Sequence, residues 1–212
     1  MTDQALPHQH DLAFAESVAA EAAALALDSF GTATARRKYD GSLVTATDEA
    51  VDRLVTLRIV KTFPGDAILS EEQATIFDPA IRRTWVIDPL DGTTNFARGF
   101  PTWGVSIALL IDGLPAVGVV NFPALGEVFT ATAGGGAFRN GISIHTLPDT
   151  VSIADDQVFM ECTRTRLLFQ VNLPGKSRIL GSAAYHLCKV AQGCAIGGIE
   201  GTPKVWDIGA AV

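Results

Sequence analysis

The stretch from Thr84 to Phe96, TWVIDPLDGTTNF, limits what this chain can fold into more than any other. Its apolar start is rich in β-forming residues and too short for a helix of its own, so it reads as a buried strand. The run ends in two aspartates, Asp88 and Asp91, spaced i and i+3 across a Pro89-Leu90 turn. It then breaks into Gly92-Thr93-Thr94, where a helix can begin. Packing alone does not account for carboxylates gathered at the mouth of an apolar strand.

The chain around this stretch has 212 residues, 48% of them apolar, which is enough for one large domain or two small ones with a real core. From Asp11 to Phe30 apolar residues recur at helical spacing (Phe14, Val18, Ala22, Leu25) and Gly31 follows as a left-handed stop. The polar, basic RRKYDGS, with a turn at Asp40-Gly41, leads to a second helix. That helix opens on a Thr45-x-x-Asp48 capping box and carries a Val51, Val55, Ile59, Phe63 stripe. A short strand, AILSEE, ends in Glu71 and Glu72, so carboxylates gather at a second strand end.

From Trp103 to Gly141 the pattern predicts an antiparallel meander turning at Asp112-Gly113, Pro123 and Gly134 to Gly136. The glycine run lacks a following helix and Lys, so it reads as a hairpin loop and not a phosphate cradle. Beyond it, short β-rich runs alternate with polar turns, and SAAYHLCKVAQG reads as a helix capped by Ser182 and stopped by Gly193. We therefore expect an α/β (α+β) protein. Residues 1–141 would form an antiparallel-sheet domain with its helices, and 142–212 a smaller α/β domain sharing an interface with it.

A formal net charge of −7 argues against nucleic-acid binding and suits cations. Cys162, Cys188 and Cys194 lack zinc-ligand spacing, and the opening MTDQALPHQHDLAFAE lacks the layout of a signal peptide. The expectation is a reduced, cytoplasmic protein without a membrane partner. His8 and His10 read as solvated residues of a polar tail, and Arg36, Arg37 and Lys38 as a solvated charge run unless their loop approaches a phosphate.

Asp88, Asp91 and the Leu90 carbonyl can turn three oxygens toward one point, with Glu71 and Glu72 completing the shell. Oxygen-only ligation suits Mg²⁺ or Mn²⁺ over Zn²⁺. The plainer alternative makes the two aspartates an N-cap and a turn residue. What favours the site is the continuation, because Gly92-Thr93-Thr94 offers backbone N–H groups to a phosphate at a helix start. Ser182 has neither a nucleophile elbow nor an identified base, so it reads as a cap and not as a nucleophile.

DPLDGTTNF resembles the first signature of the inositol monophosphatase family, and the likeness extends in order through LVTATDEAV, ILSEE, FPTWGVSIAL, GGGAFRNG, ILGSAA and KVWDIGAA. The resemblance implies a layered helix-sheet sugar-phosphatase fold and a magnesium-dependent, lithium-sensitive phosphomonoesterase, usually a homodimer. Glu71, Asp88, the Leu90 carbonyl, Asp91 and Asp207 match metal ligands for two or three Mg²⁺ ions. Thr93 and Asp48, with Glu71, match the groups that handle the attacking water. Gly92 and Thr93 match phosphate contacts, and Asp91, Gly181, Ser182, Ala183 and Glu200 match the substrate side. For Trp206-Asp207 the structural alternative is a buried aromatic before a helix cap.

Family chains continue beyond the W-D motif, so the smaller domain is expected to be incomplete here, and the segment from Asp149 to Lys176 is hard to match. The substrate implied is inositol monophosphate or a similar small phosphomonoester. Histidinol phosphate, 3'-phosphoadenosine 5'-phosphate and fructose-1,6-bisphosphate are alternatives, and a catalytically silent metal- or partner-binding protein is a reading of another class.

Overall fold

The computed structural model describes residues 8–39, 41–73, 76–151 and 156–212. The first helix, α1 (Gln9–Leu27), turns small residues inward: Ala15, Val18, Ala19, Ala22 and Ala26 are fully buried, which lets it lie close to a sheet. It ends at Leu27, earlier than the expected Phe30, and Gly31 takes its left-handed φ of 73° only after an intervening turn. A two-residue hairpin follows, β1 (Arg36–Arg37) with β2 (Leu43–Val44). The expected Asp40-Gly41 turn includes Asp40, which lies outside the described residues.

Helix α2 (Ala46–Thr62) starts at the capping box read from the sequence. Thr45 Oγ1 accepts from the Thr47 and Asp48 amides, and the Asp48 carboxylate accepts from the Thr45 amide. Two orphan helix donors and one preceding amide are satisfied by two side chains. The loop after α2 then feeds a seven-stranded sheet.

Its strands are β3 (Ala67–Ser70), β4 (Arg83–Asp91), β5 (Gly104–Ile111), β6 (Leu114–Phe122), β7 (Glu127–Thr132), β8 (Gly136–Arg139) and β9 (Ile142–Ile144), in that spatial order. Between β4 and β5 lies the short helix α3 (Thr93–Arg98). The β5–β6 turn carries positive φ at Asp112 (52°) and Gly113 (78°), as a tight primed hairpin requires. The two acidic strands join the expected meander at one edge, β3 pairing with β4 in parallel and β4 with β5 antiparallel, and β9 adds to the other edge beside β8.

The central strands read as continuous apolar runs because both faces are covered. Trp85, Ile87, Val105, Ile107, Leu109, Val117 and Val119 point into one core with α1 and α2. Val86, Ala108, Leu110, Val120 and Phe122 alternate with them into a second core, shared with Ala184, Tyr185 and Cys188. Those last three sit on α5 (Ala183–Ala191), whose N-cap is Ser182 as read from the sequence.

A second, three-stranded parallel sheet has the order β11-β10-β12, with β10 (Val158–Glu161), β11 (Lys176–Arg178) and β12 (Gly197–Ile199). The short α4 (Thr163–Leu168) follows β10, and α5 packs on β10 and β12. Helices, large sheet, α5 and small sheet thus stack as successive layers. The last element, α6 (Val205–Ile208), packs on β4, β5 and α5.

The C-terminal contact is tight. A Cβ on Gly118 of β6 would stand 2.2 Å from the Ala210 carbonyl oxygen, so no larger residue fits without moving the segment that follows α6. Gly118→Ala should therefore cost about 1–3 kcal/mol, the usual penalty for overpacking a close contact. Gly65→Ala, where nothing lies within 4 Å, should change stability by less than about 0.5 kcal/mol. Urea unfolding of both variants checks this, and equal midpoints would contradict the close approach.

Candidate active site

Parallel pairing sends the ends of β3 and β4 out on the same side of the sheet, and this brings the two acidic runs together. The Glu71 amide donates to the Ile87 carbonyl (3.3 Å), setting Glu71 next to Asp88. A bulge between Asp88 and Asp91 interrupts the pairing of β4 with β5. There Asp88 Oδ1 accepts from the Leu90 amide (3.0 Å), closing the turn predicted across Pro89-Leu90.

Gly92 has φ 89°, and a Cβ there would meet the Thr102 and Gly181 carbonyl oxygens at 3.0 and 3.2 Å. Only glycine fits that passage into α3. The Thr93 hydroxyl lies within donating distance of two acceptors, Asp48 Oδ1 (2.9 Å) and the Leu90 carbonyl (3.1 Å). No side chain caps α3, so its first backbone N–H groups have no side-chain acceptor.

Asp91 is held from the opposite side by α5. Its carboxylate accepts from the Ser182 hydroxyl and from the Ala183 (3.2 Å) and Ala184 (2.9 Å) amides. Ser182, expected as a cap and on the substrate side, is thus a cap that also grips Asp91. Asp207, at the third position of α6, accepts from the Lys204 amide (2.8 Å). The structural alternative for Trp206-Asp207 is not met as stated: Trp206 lies half-buried inside α6 and the N-cap is Lys204, while Asp207 helps close the helix start from its third position and still acts on the other acids. Glu200 is turned inward, its Oε1 2.6 Å from Nδ1 of the buried His186.

The acids raise one another's pKa. Burial, then the charges of Glu71, Asp91 and Asp207, holds Asp88 well above the usual carboxylate range. Burial pushes Asp91 to about 6, with Asp207 adding and the Ser182 hydrogen bond opposing. Glu71 is raised to about 7, mainly by burial, with Lys38 opposing and Glu72 and Asp207 adding. Burial likewise raises Asp207 and Asp48.

Lys38 corrects the reading of a solvated charge run. Its ammonium lies 3.1 Å from Glu71 Oε1 and also bonds Glu72. Burial works against its charge, but the Glu72 and Glu71 contacts prevail and raise its pKa. Arg36 does not join it and pairs with Glu49. Lys38 and Glu72 also line a cavity of about 450 Å³ together with Glu49, Asp52 and Arg53.

The acids interact electrostatically without closing on one point. Among the described residues, no three His, Cys, Asp or Glu side chains are arranged to hold a single ion as they stand. The hydrogen bonds explain why, since Asp91 is turned to α5, Asp207 to Lys204 and Glu71 to Lys38.

Three supporting residues escaped sequence reasoning. Asn95 Nδ2 donates to the Thr102 and Leu180 carbonyls (both 2.7 Å), tying α3 to the turn before α5. Asp52 accepts from Ser70 and Gln73 on either side of Glu71 and Glu72. His186 is a polar residue on the buried face of α5, one turn after Ser182, and that misfit was its only signal in the sequence.

Layered helices and sheets that bring buried acids to parallel strand ends define an oxygen-lined acidic site on an α/β scaffold. The model of the Inositol monophosphatase family matches residues 8–212, and the chain belongs to that family. It is 39% identical over 156 residues to a histidinol-phosphatase of Chlorobaculum parvum, covering 71% of this chain and 59% of that protein. It is 38% identical over 168 residues to inositol monophosphatase 2 of Solanum lycopersicum, covering 71% and 62%. Each match therefore spans about three-fifths of the relative's length. A solved inositol monophosphatase from Anabaena (Nostoc) superposes with a TM-score of 0.82 at 32% identity, over 96% of this chain and 79% of that one. Among the described residues no helix is long and apolar enough to cross a membrane.

The raised acids make stability depend on pH. Glu71, ordinarily 4.5, is raised to about 7, so the folded protein holds more protons than the unfolded chain between those values. Its contribution therefore declines as pH rises through that interval. Melting in a chelator should show this decline, and Glu71→Gln should flatten it. A wild-type profile no steeper than that of Glu71→Gln would contradict the burial of this carboxyl.

Proposed function

We propose that this protein hydrolyses a small phosphomonoester with the help of Mg²⁺, by in-line attack of water and without a covalent phosphoenzyme. The observation that carries this reading is the Thr93 hydroxyl held 2.9 Å from Asp48 Oδ1, beside the Leu90 carbonyl and the acidic cluster.

The residues present fit divalent metal ions. Their donors are all oxygen, their charges repel, and a cation already lies among them, the Lys38 ammonium on Glu71 and Glu72. Glu71, Asp88, the Leu90 carbonyl, Asp91 and Asp207 would hold two or three Mg²⁺ ions, and Mn²⁺ suits the same donors. A carboxylate has lone pairs to spare, so the bonds Asp91 accepts from α5 do not bar it from ligation. Bound there, the ions would polarise the phosphate and acidify water.

The chain's own groups move the proton. Thr93 accepts it from the attacking water and passes its own to Asp48 Oδ1, while Asp48 Oδ2 stays tied to Thr45. A buried carboxyl with a raised pKa is a better base than an exposed one. The amides of Gly92 and Thr93 orient the phosphate at the start of α3. Gly181, Ser182, Ala183 and Glu200 border the leaving alcohol.

Residues 1–141 supply Glu71, Asp88, Asp91 and Thr93, and residues 142–212 supply Asp207 and the alcohol side, which supports a site between two domains. Inositol monophosphate is the substrate type the family suggests, and the histidinol-phosphatase relative keeps phosphorylated amino alcohols in view. The family resemblance also supports lithium sensitivity and a homodimer acting in the cytoplasm.

Phosphate release from small phosphomonoesters, with and without Mg²⁺, tests the reading. Thr93→Ala should lower kcat by roughly 10²–10⁴-fold, the usual effect of losing positioned proton transfer, with little change in Mg²⁺ affinity. Asp91→Asn should abolish the Mg²⁺-dependent rate while the fold persists. Normal kcat in Thr93→Ala at saturating metal would refute the proton path, and Mg²⁺-dependent turnover by Asp91→Asn would refute its assignment.

A further inference from the structure

Of the four histidines only His186 is wholly buried, and the proton path through Thr93 and Asp48 does not use it. Both of its ring nitrogens are engaged. The Leu180 amide donates to Nε2 (2.9 Å), and a ring nitrogen that accepts carries no hydrogen. The ring hydrogen therefore sits on Nδ1, 2.6 Å from Glu200 Oε1, and is donated to it. Flipping the ring would put carbon atoms in both places and lose both bonds, so tautomer and orientation are fixed together.

The turn that holds the ring is itself held. The Leu180 carbonyl accepts from Asn95 Nδ2 and Thr102 Oγ1, both at 2.7 Å, which ties it to α3 and to the loop after it. Gly181, at φ 81°, allows this approach, since a Cβ there would stand 2.7 Å from Asn95 Nδ2. Glu200 is fixed at its backbone as well. Thr165 Oγ1 donates to the Ile199 carbonyl (3.0 Å) and accepts from the Gly201 amide (2.7 Å), the two neighbours of Glu200. The Glu200 side chain is 9% exposed, and among the described residues its Oε2 takes no hydrogen bond.

We propose that His186 is a positioning residue: by holding Oε1 of Glu200 inward, it leaves Oε2 as the acceptor offered to a hydroxyl on the substrate's alcohol part. The inference rests on the reading that sets Glu200 beside the leaving alcohol, and it adds what aims that carboxylate. A neutral N–H suits the task better than a cation. It satisfies the inner oxygen by a charge-assisted hydrogen bond and leaves the carboxylate its charge, so Oε2 stays a strong acceptor. A lysine or arginine in its place would cancel that charge. Without the imidazole, the carboxylate is free to turn toward other donors or water, and it presents no fixed oxygen.

The tautomer can be read directly in the wild-type protein. In ¹⁵N-histidine spectra the one buried imidazole, the slowest to exchange with water, should show a hydrogen on Nδ1 and none on Nε2. Glu200→Ala should shift that hydrogen and speed its exchange. A ring hydrogen on Nε2 overturns the proposal.

Steady-state kinetics with Mg²⁺ on two esters isolate the hydroxyl contact. Glycerol 2-phosphate and isopropyl phosphate share the branched carbon that bears the phosphate and differ in their hydroxyls. His186→Ala should raise KM for glycerol 2-phosphate about fivefold, the usual effect of one hydrogen bond, with kcat and the isopropyl ester nearly unchanged. His186→Asn should keep most of the preference, because its amide N–H can stand where Nδ1 stood. His186→Gln, whose amide reaches the Nε2 position, should lose it, and it carries the comparison where the alanine variant does not fold. Added to Glu200→Ala, His186→Ala should have no further effect on KM. A glycerol preference that survives His186→Ala and His186→Gln overturns the proposal, as does a loss that adds fully to that of Glu200→Ala, which a merely structural histidine would give. Hydrolysis of neither ester would count against the hydrolase reading, and the rise in melting temperature given by each ester would then decide the role of His186 through the same variants.

Discussion

Everything around this site answers one electrostatic difficulty, the burial of like charges at the adjoining ends of β3 and β4. Asp88 and Asp91 are almost wholly out of water, Asp207 acts on both, and Glu71 acts on Asp88. Isolated carboxylates in such a place would be expensive. The fold offsets the cost group by group: an amide for Asp88, the start of α5 for Asp91, an ammonium for Glu71 and the amide before α6 for Asp207. The start of a helix is a favourable place for a negative charge, so α5 stabilises Asp91 by its orientation as well as by its hydrogen bonds.

Helix α5 also joins the layers. Ala184, Tyr185 and Cys188 fill the second core under the large sheet, while His186 reaches Glu200 beside the small one. The helix that fixes Asp91 therefore also fixes Glu200. A shift of α5 would move both together. The Leu180 turn before it is tied to α3 through Asn95 and Thr102, which keeps the starts of α3 and α5 in register.

What the sequence made legible was local. The capping box at Thr45 and Asp48, the Ser182 cap, the Asp112-Gly113 hairpin and the Asp88-Pro-Leu-Asp91 turn all announce themselves within a few residues, because each depends on neighbours in the chain. The parallel pairing of β3 with β4 joins residues 67–70 to 84–87, and no short window encodes it. The ion pair of Lys38 with Glu71 depends on that same long-range meeting, so the basic run could only be read by its ordinary solvated behaviour. The two-sided apolar character of β4 to β6 signalled burial, yet it left open which layers cover each face.

Asp48 carries a consequence for how such a protein can change over generations. Its two oxygens have separate employers: Oδ2 receives the Thr45 amide and hydroxyl and so starts α2, and Oδ1 receives the Thr93 hydroxyl. Asparagine would keep the shape but offers one acceptor where two are used, so either the helix start or the threonine contact is forfeited. Glutamate would keep both acceptors but displace them by a methylene. No single replacement preserves both duties, and divergence of this lineage must route around the position, altering its surroundings before the residue itself can change.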